Sequence, residues 1–168
     1  MFSTIFGLPT HPLVVHAVVV LVPLAALSGL VVAVWPAARA RYAPAALGIA
    51  TLALIAVPVA THTGEQLEDH VRASTLVDRH AHMADGLLPF MALLWLALAL
   101  LVGVRWYGRY RAAGRTRLAS YVGIGAAVIT VAAGVGSAVQ VVRIGHSGSE
   151  AAWHGVATSS ARSAGPHH

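Results

Sequence analysis

The 168-residue chain contains no cysteine, which excludes disulfides, iron–sulfur clusters, c-type haem attachment and thiolate-bound copper or zinc. Any metal would have to be held by histidine, carboxylate, methionine or backbone oxygen. Charge is nearly as scarce: 10% of residues are Asp, Glu, Lys or Arg, against about 25% in a soluble domain. No nucleophile elbow, P-loop or H-E-x-x-H motif occurs, so nothing supports a hydrolase or NTPase.

What is present is apolar. Hydrophobic residues make up 57% of the chain and the mean hydropathy is +0.72. Apolar runs cover residues 12–35, 44–60, 86–104 and 118–142, each near the roughly 20 residues that cross a hydrocarbon core of about 30 Å. The expected fold is an all-α membrane protein, a bundle of four transmembrane helices formed by residues 1–157. Residues 158–168 read as an unstructured tail. The first run lacks the basic segment that precedes a secretory leader, so it reads as a retained helix.

The net charge of +5 does not point to nucleic acid, because of where the arginines fall. Arg39 and Arg41 lie in the first connection, and Arg105, Arg109, Arg111, Arg115 and Arg117 in the third. The positive-inside rule puts these in the cytoplasm, giving a multi-pass protein of the cytoplasmic (inner) membrane with both termini extracytoplasmic. Contact of that basic end with anionic membrane lipid follows. All six acidic residues and all ten histidines then fall at the outer end.

Three capping-box spacings, at Thr63–Gln66, Thr75–Asp78 and Ser147–Glu150, predict helix starts. The first implies a short interfacial helix over residues 64–73, the second an early start to the third helix, and the third another short outer helix carrying Trp153 and His154. Pro23, Pro58 and Pro89 lie inside the first three helices and would kink them, splaying the outer half into a cavity. Glycines in the fourth helix (Gly123, Gly125, Gly134, Gly136) let helices or a flat cofactor approach the backbone.

One histidine from each helix falls near the outer boundary: His16, His62, His82 and His146. Short connections make the first and third helices diagonal, likewise the second and fourth, which pairs His16 with His82 and His62 with His146. Asp78, His82 and Asp85 share one helical face, so a carboxylate could orient His82. His80 points roughly opposite to His82, and of His11 and His16 the latter is deeper. Taken singly, each histidine suits an interfacial hydrogen bond, and Glu65, Glu68 and Asp69 suit a solvated helix end. Four histidines at one level favour a shared site.

Two kinds of site fit. Haem b needs two facing imidazoles, an apolar slot, small residues and polar groups for its propionates; Arg72, Arg79 and Arg143 could serve the last. A non-haem site for copper, zinc or iron would draw on His16, His62, His80, His82 and His146 with Glu65 or Asp85. A third reading is a cofactor-free accessory subunit of a membrane complex.

The segments His11-Pro12-Leu13-Val14-Val15-His16, Thr63-Gly64-Glu65, a histidine opening the third helix (His80 or His82), and Arg143-Ile144-Gly145-His146-Ser147-Gly148 followed by Trp153 resemble the bacterial membrane family called domain of unknown function 2231. In that family the domain occurs joined to Rieske-type or c-type cytochrome domains. The resemblance thus implies electron transfer, a haem, and a redox partner in the form of an extracytoplasmic protein, a respiratory complex or quinone.

Overall fold

The structure is a computed structural model and describes residues 4–5, 8–68, 74–110 and 116–163. Strands β1 (Thr4–Ile5) and β2 (Leu8–Pro9) form a minimal antiparallel pairing. The remainder is helical: α1 (Thr10–Val34), α2 (Pro36–Glu68), α3 (Thr75–Asp85), α4 (Leu87–Tyr110) and α5 (Arg117–Ser163). Four spans are long and apolar enough to cross a membrane, with α3 and α4 together supplying the third.

The helices pack as a square. α1 packs most closely on α2, and α4 on α5; α1 also meets α5 and α2 meets α4, while α1 and α4 barely touch. The first and third spans are therefore diagonal, as expected from short connections.

The core is made of small residues. Ala25, Ala43, Ala46, Ala50, Ala53, Ala126 and Ala133 are buried beside Val22, Met91, Leu94 and Leu98. Larger side chains such as Leu27, Leu52, Ile55, Leu96, Ile124 and Val128 face outward. In water that arrangement would be costly, but among lipid tails no hydrophobic force separates the two faces, so close backbone packing selects small residues for the inside. A Cβ on Gly134 would lie 3.5 Å from the Ala26 carbonyl oxygen, and one on Gly136 would lie 2.6 Å from Phe90. Gly123 and Gly125 have nothing near them, so only half of the glycines expected to serve close approach do so.

Helix boundaries correct several expectations. The first reversal lies at Trp35 alone, with Pro36 opening α2 and Arg39 and Pro44 inside it. Pro36 tolerates the first helical position because its missing N–H has no partner there. Arg39 donates to the Val32 carbonyl at 2.7 Å and also to that of Ala33, satisfying carbonyls that the end of α1 leaves open.

At the other end of α2, Thr63 is no N-cap. Its hydroxyl donates back to Val59 and Ala60 and the helix runs on to Glu68; residues 69–73 of the expected interfacial helix lie outside the described residues. Likewise Ser147 donates to Ile144, and α5 continues unbroken to Ser163, over the first residues of the expected tail. In both places a hydroxyl mid-helix finds its own i−3 or i−4 carbonyl, the alternative to capping open to Ser and Thr.

Near the second spacing a helix does start, but its N-cap lies one residue before Thr75 and Val77 stands where the reciprocal side chain would be. Ser74 is the N-cap, accepting from Val77 N–H at 3.3 Å, and α3 stands as a short helix at the histidine-rich end. It breaks from α4 at Gly86. Pro89 has no N–H for the Asp85 carbonyl and its ring crowds that carbonyl, while Gln140 of α5 donates to the Met83 carbonyl at 2.8 Å. Pro23 and Pro58, by contrast, remain inside unbroken helices.

Candidate two-histidine site

Each helix turns one narrow stripe inward, and the stripes end in chemistry. On α1 the buried positions Val18, Val22 and Ala25 extrapolate backwards by helical steps to His11. On the third span Leu101, Leu98, Leu94, Met91 and Leu87 lead back to His80. On α2 Ala46, Ala50, Ala53 and Val57 lead forward to Thr63-Gly64, and on α5 Ala133, Ser137 and Val141 lead to Ser147-Gly148.

These ends meet in two matching pairs. His11 Nδ1 lies 3.1 Å from Thr63 Oγ1, and a Cβ on Gly64 would come within 3.1 Å of the His11 ring. His80 Nδ1 lies 3.1 Å from Ser147 Oγ, and a Cβ on Gly148 would come within 3.0 Å of the His80 ring. In each pair a glycine leaves the hollow that the imidazole edge fills and the preceding hydroxyl bonds the same ring nitrogen. Both rings are half-buried, Ser147 is buried, and Nε2 of neither ring makes a hydrogen bond among the described residues.

The histidines chosen by depth lie elsewhere. His16 is exposed, its Nδ1 2.6 Å from the Pro12 carbonyl of its own helix. His62 is exposed and engaged with its neighbours, Nε2 3.2 Å from the Gln66 amide nitrogen and Nδ1 3.6 Å from Glu65 Oε2. His82 and His146 are exposed, as are Glu65, Asp78, Asp85, Arg79 and Arg143. Asp78, His82 and Asp85 do share a face, but it is the outward one. Among the described residues no three histidines or carboxylates gather to hold a metal ion. His70, Asp69 and Arg72, and the side chains of Glu68 and His154, lie outside the described residues.

The signal for His11 and His80 was available. Of the two histidines on α1 and the two on α3, only these fall in register with the small and apolar inward stripe.

The architecture defines a multi-pass helical membrane protein of four spans. The family model described as "Predicted membrane protein (DUF2231)" matches residues 7–160, and the chain belongs to that family. No curated protein and no solved structure matches it.

Proposed function

We propose that the protein binds haem b between His11 and His80 and passes electrons at the extracytoplasmic side of the inner membrane. The observation that carries this reading is the matched pair of half-sites: two imidazoles on diagonal spans, each anchored through Nδ1 and each with Nε2 uncommitted. A bis-histidine b-type haem takes two axial imidazoles from the protein. The two half-sites offer that number. His11 and His80 replace His16 and His82 as the axial pair, on the same two spans.

Bound there, a haem would supply a one-electron couple whose potential depends on its two axial nitrogens and on burial. The chain's own part is to hold both rings at fixed orientation through Thr63 and Ser147. It also surrounds the site with apolar helix, and offers Arg79 and Arg143 as cationic partners for carboxylates at the bundle end. An extracytoplasmic redox protein, a respiratory complex or a membrane quinone would exchange the electron.

The test is an absorption spectrum of the detergent-purified full chain. A Soret band that shifts on reduction, and that is lost in His11→Ala and in His80→Ala, is the expected result. A colourless protein after expression with ample haem supply overturns it. Stoichiometric copper, zinc or iron in that colourless protein would establish the non-haem reading instead, and neither haem nor metal the accessory-subunit reading.

A further inference from the structure

The two hydroxyls are more than neighbours of the rings, because each has already spent its proton. Thr63 Oγ1 donates to Val59 and Ala60 carbonyls at 3.0 Å each, and Ser147 Oγ donates to Ile144 at 2.9 Å. A hydroxyl whose proton is so used offers only lone pairs in other directions. If that proton stays on the carbonyl, the ring nitrogen 3.1 Å away in each case is the donor and Nδ1 carries the hydrogen. In a neutral imidazole that leaves Nε2 bare.

We infer that Thr63 and Ser147 are positioning residues that lock His11 and His80 in the Nδ1–H tautomer, handing two Nε2 lone pairs to one shared ligand. Water favours the opposite tautomer, so the selection is made by the helices. The same arrangement, a ligating histidine whose other ring N–H is held by a fixed acceptor, raises the basicity of the ligating nitrogen and sets ring orientation. Gly64 and Gly148 belong to the device, since a Cβ there would press on the ring and require it to shift by a few tenths of an ångström. The inference rests on the two-histidine site proposed above and specifies which atom of each ring that site uses.

Nitrogen-15 NMR of histidine-labelled full-length protein in detergent, before any haem is added, tests the tautomers directly. The measurement is made at about pH 8.5, roughly two units above the ordinary imidazole value. His11 and His80, assigned by loss of their signals in His11→Gln and His80→Gln, are expected to show Nδ1 protonated and Nε2 bare. Thr63→Val should return His11 alone to the Nε2–H form and Ser147→Ala should do so for His80 alone, while Thr63→Ser and Ser147→Thr keep the native pattern. Nε2–H rings in the unaltered protein, or rings indifferent to Thr63→Val and Ser147→Ala while Thr63→Ser is folded, overturn the inference. A colourless protein with Nδ1–H rings would sink the haem reading and leave the tautomer assignment standing.

Discussion

The two half-sites hold matching groups on different mounts. His11 stands on the first turns of an unbroken 25-residue helix and faces α2, its immediate partner in the hairpin. His80 stands on a separate 11-residue helix with no buried residue, whose attachment to α4 is interrupted at Gly86. The second mount is held from the side: Gln140 pins the Met83 carbonyl and Ser147 pins the ring, both from α5. Equivalent placement of two rings is thus reached by helix continuity in one half and by cross-helix hydrogen bonds in the other. The α3 half is the weaker mount.

The largest expected effect treats the halves as equal. His11→Ala and His80→Ala should each remove bound haem at least about tenfold in a pyridine haemochrome assay, as loss of an axial nitrogen does in a two-ligand site. Retention in one variant and loss in the other would mean a single-ligand site. The next prediction separates the halves. Gln140→Leu leaves the Met83 carbonyl unpaired at the break, so thermal unfolding in detergent should show a loss of about 1–3 kcal/mol, with hydrogen exchange rising in α3 and unchanged in α1.

Smaller again, Gly64→Ala and Gly148→Ala place a methyl 3.1 and 3.0 Å from a ring atom and should shift the reduced-minus-oxidised spectrum. The Gly148 variant should be worse tolerated where Ser147 is buried. Finally, His16→Ala, His62→Ala, His82→Ala and His146→Ala should leave the spectrum unchanged, because those side chains are exposed. Loss of colour in any of these four would return the site to the depth-based pairing.

Much of the architecture was legible in the sequence because hydropathy reports lipid solvation, and a run of about 20 apolar residues can satisfy its backbone only as a helix. The diagonal placement of the first and third spans followed from short connections. Facing was harder to read, since helices apolar all round carry no amphipathic signal. Ranking histidines by depth selected His16 and His82, while the stripe of alanines and valines running from Ala25 through Val18 to His11 carries the facing information in side-chain size. The capping boxes misled for a related reason. Thr63 and Ser147 have the composition of an N-cap, but inside a membrane-length helix the nearest free acceptor is a carbonyl one turn back.

The square packing gives the pair of rings a further significance. Each hairpin, α1 with α2 and the third span with α5, carries one complete histidine–hydroxyl–glycine unit. A ligand that engaged both rings would therefore act as a staple between the two hairpins. By linkage, its binding adds to the docking of the hairpins about 2.7 kcal/mol at a hundredfold excess over its dissociation constant. Assembly of the bundle and loading of such a site would then be one equilibrium. A chain cut between Glu68 and Ser74 should hold its two pieces together more firmly loaded than empty.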